Sequence, residues 1–131
     1  LSHQFKDYEN VVLRRREIAG LYHERLAGIS QIVLPPNVNS QQDHYDIYQN
    51  YEIEARKRDE LKAFLFENGI GTLIQWGGKG VHQFKELGYT DSLVYSEKIF
   101  NRMLLLPINM TIINDEIDYV CDKISSFYKR Y

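Results

Sequence analysis

The sequence predicts a small α/β domain, of the α+β kind, in which a few-stranded and mostly antiparallel sheet packs against helices. Helical spacing of apolar residues at both ends of the chain, with short β-rich runs between them, indicates this class. The chain has 131 residues, 44% of them hydrophobic and 26% charged, which is typical of one soluble domain with one core. We therefore expect a single domain over residues 1–131.

The first predicted element is a long helix over residues 1–27. Apolar side chains recur there at steps of three and four, and Gly28 is a suitable residue to end the helix. A helix of this length that opens abruptly is typical of an element that bridges two domains. We interpret residues 1–27 as an interdomain helix and residues 29–131 as the sheet-and-helix body. The apolar positions of the helix are Phe5, Tyr8, Val12, Ala19, Tyr22 and Leu26.

Three strands and one helix are predicted in the middle of the chain. β-branched and aromatic residues with a period of two favour extended backbone, whereas apolar steps of three and four before an Asn-Gly pair favour a helix and its end. We expect strands at residues 32–34, 45–54 and 70–76, and a helix at 57–67 that buries Leu61, Phe64 and Leu65.

The last third of the chain predicts short elements and one longer helix. After a flexible loop, we expect short helices at 81–86 and 97–102, a buried strand at 104–106 and a final helix from 114 onward. Ser96 and Asn114 are the predicted caps of the last two helices, and Pro107 ends the strand. The buried face of the final helix consists of Ile117, Val120, Cys121, Ile124, Phe127 and Tyr128.

Charge and composition exclude several classes of protein. The net charge is -2, whereas binding to nucleic acid or anionic membranes needs clustered excess Lys and Arg. Without a basic patch beside them, the tyrosines are interpreted as sheet and core residues, with Tyr45 and Tyr51 on one face and Tyr48 on the other. No signal peptide or membrane-spanning apolar run is visible. We expect a cytoplasmic protein with neither a nucleic-acid nor a membrane partner.

A glycine-rich turn around Lys79 lies within residues 75–83. Such a turn can hold phosphate through its backbone N–H groups. It is not a P-loop, because Leu73 stands where the first glycine is required and no Ser or Thr follows the lysine. Trp76 and His82 add an aromatic ring and a titratable imidazole nearby. The residues alone leave two interpretations open, a mobile surface turn or one wall of a ligand pocket.

The other reactive residue types predict no site. His3, His23 and His44 have no partner at metal-ligand spacing, so we expect no metal site. Cys121 lies on the apolar face of the final helix, where a free cysteine packs as a small hydrophobic residue. As the single cysteine, it also leaves the chain without an internal disulfide.

Three motifs in order resemble a known family. An interdomain helix is similar to the segment Arg14–Leu26, "RRREIAGLYHERL". A strand, an Arg-Asp helix start and a Gly-Ile strand start are similar to the segment His44–Thr72, "HYDIYQNYEIEARKRDELKAFLFENGIGT". A terminal Leu-Pro strand and helix are similar to the segment Leu104–Ile124, "LLLPINMTIINDEIDYVCDKI". Together they resemble the C-terminal part of the DegT/StrS family of pyridoxal-phosphate-dependent sugar aminotransferases. That family has the fold-type-I aspartate-aminotransferase architecture.

The resemblance implies a reaction and a cofactor. In the family, an amino acid, usually glutamate, gives its amine to pyridoxal phosphate (PLP), which passes it to a keto-sugar attached to a nucleotide. The Schiff-base lysine and the phosphate-binding residues belong to an N-terminal large domain, which is absent from this chain. We therefore expect no catalytic and no cofactor-binding residue here. The expected partners are that large domain, the two substrates and a second subunit in a homodimer.

The C-terminal domain of the family contributes to the sugar pocket. Its strand after Gly-Ile usually ends in His-Tyr-Pro, with another histidine several residues on. The matching positions here are Gln75, Trp76 and Gly77, and the later histidine matches His82. The resemblance implies that Trp76 stacks on the sugar or lines the pocket and that Lys79 contacts a diphosphate. It also implies that His82 and Gln83 form hydrogen bonds with sugar hydroxyls. The expected substrate-binding residues are Gln75, Trp76, Lys79, His82 and Gln83.

Two other functions stay open at this point. The chain could be a free-standing domain that binds a small ligand through residues 75–83, or a structural domain that completes a dimer without catalysis. A dimer interface would be marked by exposed Tyr and Leu side chains on the first helix.

Overall fold

A computed structural model describes residues 2–40 and 45–130, with side chains from residue 7 onward within those ranges. In chain order, the described elements are α1 (Ser2–Leu26), β1 (Ile32–Val33), β2 (Tyr51–Ala55), α2 (Arg58–Glu67), α3 (Val94–Phe100), β3 (Met103–Leu106) and α4 (Asn114–Tyr128). Three short 3-10 turns at Gln75–Gly78, Val81–Gln83 and Lys85–Leu87 lie between α2 and α3.

The three strands form one antiparallel sheet in the order β1-β2-β3. In its centre Tyr51 pairs with Leu106 and Ile53 pairs with Leu104. Burial alternates along β2, so that every second side chain faces the core. The antiparallel sheet with packed helices confirms the predicted fold class.

The core lies where the sheet meets α1, α2 and α4. α1 and α4 pack on each other, and α2 packs on α4 and on the sheet. The ring centroids of Tyr22 and Tyr51 are 5.0 Å apart, and the Tyr22 hydroxyl donates to the Pro107 carbonyl at 2.7 Å. All six apolar residues predicted for the inner face of α4 are buried, which confirms that prediction.

The apolar stripe of α1 is confirmed from Val12 onward, since Val12 is also buried. Leu26, Tyr22 and Ala19 are buried, and the neighbouring Ile18, which the pattern did not include, is fully buried too. Tyr8 was predicted to lie on the buried face, but it is 51% exposed. Tyr8 lies before the part of α1 that the core covers, so about half of its surface stays exposed. The predicted side chain of Phe5 lies outside the described part.

The strand predicted at 45–54 is shorter than expected, because β2 spans only Tyr51–Ala55. Tyr48 has a φ of 47°, which interrupts the extended backbone. Its N–H donates to the Asp46 carboxylate at 2.7 Å, a local turn that competes with the ladder. The predicted faces are also wrong, since Tyr48 and Tyr51 are both buried, with ring centroids 6.3 Å apart, while Tyr45 is exposed.

The strand predicted at 70–76 is reduced to one isolated bridge between Leu73 and Leu105. Trp76, Gly77 and Gly78 all have positive φ angles, so the chain turns away from the sheet directly after Ile74. Gln75 and Trp76 therefore lie in a turn, and not at a strand end.

The predicted short helices are corrected in form and position. Residues 81–86 form parts of two separate 3-10 turns. α3 spans Val94–Phe100 in place of the predicted 97–102, so Ser96 lies inside the helix and does not cap it. The strand predicted at 104–106 is confirmed as β3, with Met103 added at its start.

Asn114 was predicted to cap α4, and this prediction is wrong. Ile113 holds the cap position, and its N–H donates to the Glu116 carboxylate at 3.0 Å, which is one half of a capping box. The Asn114 side chain instead accepts a hydrogen bond from Arg14 of α1 at 2.9 Å. In the part of the chain that the structure describes, no helix is both long enough and apolar enough to cross a membrane.

The first prediction concerns alkaline stability. Burial raises the pKa of the Cys121 thiol from 9.0 to about 12. This contribution to stability is complete below pH 9.0 and is lost toward pH 12, because the unfolded chain releases its proton first. We expect Cys121 by itself to lower the free energy of unfolding by roughly 1 kcal/mol per pH unit in this range, in addition to the loss from Tyr22, Tyr51 and Tyr128, whose pKa values burial also raises. Urea unfolding at stepped pH should give a flatter dependence for Cys121→Ala, and identical slopes would contradict the assignment.

A second prediction concerns the hydroxyl that ties α1 to the end of β3. Tyr22→Phe keeps the ring but leaves the Pro107 carbonyl without its donor, which we expect to lower the free energy of unfolding by about 1–2 kcal/mol. Tyr119→Phe is the matched control, because its hydroxyl also donates to a carbonyl, that of Asn68, but the residue is 44% exposed. Its loss should stay within about 0.5 kcal/mol. Equal losses in chemical denaturation would show that burial is not the cause.

Candidate functional site

The segment 75–83 leaves the sheet edge after Leu73 and crosses the C-terminal end of α3. Gly78 makes the close approach: a Cβ there would lie 3.3 Å from the Phe100 carbonyl oxygen, and its φ of +72° also favours glycine. Beneath it, the largely buried Arg58 donates from Nη1 to the carbonyls of Phe100 at 3.2 Å and Met103 at 3.1 Å. The turn therefore rests on a fixed support.

The first three predicted site residues point outward from this support. Trp76 has φ 54° and ψ 25° and is 76% exposed. Lys79 is exposed, Gln75 is half-buried, and neither side chain has a hydrogen bond or ion pair to another described residue. The geometry offers an indole face and an ammonium group to solvent, the two groups that a sugar ring and a phosphate can contact.

Gln83 folds back on the turn and closes it. Its Oε1 accepts from the Gly80 N–H at 2.9 Å, and its own N–H donates to the Gly80 carbonyl at 3.0 Å. The side-chain oxygen is thus engaged, which leaves the amide NH₂ group as the part of Gln83 that a ligand can use.

His82 is largely enclosed. Its side chain is 10% exposed, and Nε2 lies 3.5 Å from the Glu97 carboxylate of α3. The same Glu97 oxygen accepts from the Ser92 hydroxyl at 3.3 Å. The imidazole therefore stands between the turn, the segment before α3 and α3 itself.

Two surface depressions meet at His82. The first is lined in part by His82, Gln83, Lys85, Tyr89 and Glu97. The second lies on the Gly80 side and is lined in part by His82, Leu93, Ser96 and Phe100. Asp91 and Ser92 line both, so the surroundings of His82 carry one cationic and two acidic side chains.

The structure brings only some of the predicted residues together. His82 and Gln83 line one depression, whereas Gln75, Trp76 and Lys79 lie on the adjoining turn and line neither. The role of all five in binding stays a prediction. Sequence reasoning gave no site role to Arg58 or Glu97. The carbonyl partners of Arg58 lie 42 and 45 residues away, and no local pattern marks the contact of Glu97 with His82.

Other candidate chemistry is sparse. Across residues 2–40 and 45–130, no group of three or more His, Cys, Asp or Glu residues could hold a metal ion. His23 is half-buried on α1, while His44 and the side chain of His3 lie outside the described part. Cys121 is buried in the core, with a raised pKa that keeps the thiol protonated at neutral pH.

Comparisons with known sequences agree on one family. The profile of the DegT/DnrJ/EryC1/StrS aminotransferase family matches residues 1–125. A pleiotropic regulatory protein of Geobacillus stearothermophilus is 33% identical over 100% of this chain and 36% of its own length. A dTDP-3-amino-3,6-dideoxy-alpha-D-galactopyranose transaminase of Aneurinibacillus thermoaerophilus is 25% identical over 87% of this chain and 31% of its own length.

Solved structures share the fold. A DegT DnrJ EryC1 StrS aminotransferase from Brucella abortus has a TM-score of 0.83 and 26% identity over 98% of this chain and 34% of its own. The aminotransferase TlmJ from Streptoalloteichus hindustanus has a TM-score of 0.86 over 95% of this chain and 34% of its own, and at 24% identity this likeness concerns the fold alone. The chain spans about a third of the length of these relatives. With 125 of its residues matched by the profile, the chain belongs to the DegT/DnrJ/EryC1/StrS aminotransferase family.

Proposed function

We propose that this chain is the C-terminal domain of a PLP-dependent sugar aminotransferase. The enzyme would move an amino group from an amino acid, which we take to be glutamate, to a keto-sugar carried on a nucleotide. The family match over residues 1–125 carries the proposal. The relative named as a transaminase of a dTDP-linked amino sugar supports the substrate class. A single buried, free cysteine suits a cytoplasmic enzyme.

The proposed domain organisation places α1 between this domain and an N-terminal large domain. In this division residues 1–27 are the interdomain helix and residues 29–131 are the body. The relatives are about three times as long as this chain, which leaves room for such a domain. An apolar groove on the first half of α1, lined by Tyr8, Val12, Leu13, Tyr45 and Ile47 among others, is a suitable surface for it.

The described residues of this chain do not by themselves fit PLP. The cofactor needs a lysine for the Schiff base, a partner for its pyridine nitrogen and donors around its phosphate; when bound, it serves as an electron sink. The seven lysines whose side chains are described are all exposed or half-buried. The lysine beside the glycines, Lys79, has no carboxylate partner within the described residues. We therefore assign cofactor binding to the large domain, and sugar recognition to this one.

Within the proposed sugar site, each residue has a distinct task. The exposed indole of Trp76 stacks on or walls the sugar. Lys79 meets the diphosphate as a mobile cation. The Gln75 amide and the NH₂ group of Gln83 bond to hydroxyls, since the Gln83 oxygen already accepts from Gly80. His82 presents its imidazole at the bottom of the depression beside them.

A large apolar surface supports the proposal that the domain works in an assembly. The exposed apolar residues around α3 and the preceding turns include Leu73, Trp76, Val81, Leu87, Val94 and Tyr95, which are 61% to 85% exposed. Isolated soluble domains rarely leave so many large apolar side chains together in water. We propose that the large domain and a second subunit of a homodimer cover part of this surface.

One observation favours a second candidate function. The relative that aligns with the whole chain at 33% identity is named a regulatory protein. A protein of that kind would use this domain to bind a ligand or to build a dimer, without transamination. It would differ from the first candidate in the large domain, where the Schiff-base lysine is proposed to lie.

The proposal predicts that this chain alone does not form a specific aldimine with PLP. Borohydride reduction after incubation with stoichiometric PLP should leave no single lysine modified stoichiometrically, because no described lysine has the partners of a cofactor site. The intact protein, treated in parallel, should carry one reduced lysine in the large domain. One stoichiometric adduct on this chain, located by peptide mass spectrometry, would refute the division of labour.

The sugar site predicts a specific change in kinetics. In the intact enzyme, Trp76→Ala should raise KM for the nucleotide sugar about five- to tenfold, because loss of ring contact costs about 1–1.5 kcal/mol. The half-reaction with the amino donor should be unchanged. Phe66→Ala is the matched control, since Phe66 is also 76% exposed but lies on α2. An unaltered KM for Trp76→Ala would remove this residue from the site.

A further inference from the structure

An unusual polar environment surrounds His82. The side chain is 10% exposed, and its Nε2 atom is buried without a hydrogen-bond partner among the described residues. The nearest acceptor is the Glu97 carboxylate, at 3.5 Å. A buried imidazole N–H is rarely left without a partner, because its desolvation is then not offset. The carboxylate of Glu97 stands where that partner is needed.

The position of the ring is constrained from the opposite side. A Cβ at Gly80 would lie 2.7 Å from His82 Cε1, 2.8 Å from Nδ1 and 2.6 Å from Phe100 Cε2. The missing Cβ of Gly80 therefore leaves the space in which the imidazole and the Phe100 ring both approach the backbone. Nδ1 lies on the Gly80 side, where the second depression opens, and Nε2 lies on the Glu97 side. This packing restricts the ring rotation that would exchange the positions of Nδ1 and Nε2.

Glu97 also holds the other end of the loop. Its Oε1 atom accepts from the Ser92 hydroxyl at 3.3 Å, so one carboxylate lies next to residues on both sides of the excursion from Phe84 to Asp91. The other described charges beside His82 are Lys85 and Asp91, which line the depressions at the surface. Neither of them forms an ion pair with the imidazole, whereas Glu97 faces it directly.

We propose that Glu97 is the positioning residue of this site: it holds the imidazole of His82 with Nε2–H toward α3 and Nδ1 toward the Gly80 depression, and it fixes both ends of the 84–91 loop. With one proton on the ring, Nε2–H donates to Glu97 and Nδ1 stays an acceptor for a hydroxyl group. That a sugar supplies the hydroxyl rests on the function proposed above. The contact between Glu97 and His82 does not.

The test of the contact uses nitrogen-15 NMR on this chain, with His82→Asn to assign the ring signals among its four histidines. In the unaltered chain, the His82 proton should lie on Nε2 and exchange slowly with water. Glu97→Ala should make the His82 ring proton exchange rapidly with water and should raise the rate of backbone amide hydrogen exchange over residues 80–92. Glu97→Gln, which keeps an oxygen at the same reach, should restore both in part. Glu86→Ala, which removes an exposed carboxylate of the same loop, should change neither.

Two results would overturn the inference. A singly protonated His82 ring whose proton lies on Nδ1 in the unaltered chain would overturn it without any variant, whether or not Glu97→Ala folds. Slow exchange of the His82 ring proton that persists in Glu97→Ala would also overturn the inference, because another group would then hold the ring.

Kinetics on the intact enzyme separate this inference from the proposed function. Glu97→Ala should raise KM for the nucleotide sugar roughly three- to tenfold when His82 is present, and less than about twofold in the His82→Asn background. Equal increases in both backgrounds would mean that Glu97 does not act through His82, which overturns the positioning role. If KM is unchanged in both while the NMR result holds, the contact is supported and the sugar site is refuted.

Discussion

The fold depends on hydrogen bonds from α1 side chains to backbone carbonyls in irregular segments. Tyr22 donates to the Pro107 carbonyl, Arg14 to that of Ile112 and Arg16 to that of Val38, at 2.7 to 2.8 Å. These carbonyls lie after strands or in loops, where no ladder partner is available, and partly buried backbone acceptors need a donor. One helix therefore supplies the donors that three separate connections require, and it fixes them around the core at the same time.

A side chain that donates hydrogen bonds to backbone carbonyls also supports the candidate site. Arg58, at the start of α2, donates to the carbonyls of Phe100 and Met103, which lie where α3 ends and β3 begins. This bond sets the distance between α3 and the sheet. The turn at 75–78 then rests on the Phe100 carbonyl, and His82 packs between Gly80 and α3. The exposed turn that carries Trp76 and Lys79 thus stands on a charged side chain that is largely buried.

The elements that sequence predicted well are those with a long, repeated apolar pattern. α4 repeats its apolar spacing over four turns, so one atypical residue does not change the helix that the pattern predicts. All six predicted positions are buried. The failures are decided by single backbone angles or by distant partners. Tyr48 and Trp76 are ordinary strand residues by composition, yet each has a positive φ that ends the extended run. Asn114 has the composition of a cap, but Arg14, a hundred residues away, takes its oxygen.

A single positive φ angle also separates this chain at the candidate site from the pattern that the resemblance implies. The resemblance described above implies His-Tyr-Pro at the positions that Gln75, Trp76 and Gly77 occupy here. Gly77 has a φ of 64°, whereas the proline ring fixes φ near −65°, so the backbone path seen here is closed to the usual sequence. Replacing proline with glycine opens the left-handed turn that carries Trp76 away from the sheet and into solvent. Because the indole is then held by a turn and not by a strand, its position relative to His82 is set by the backbone angles of Gly77 and Gly78.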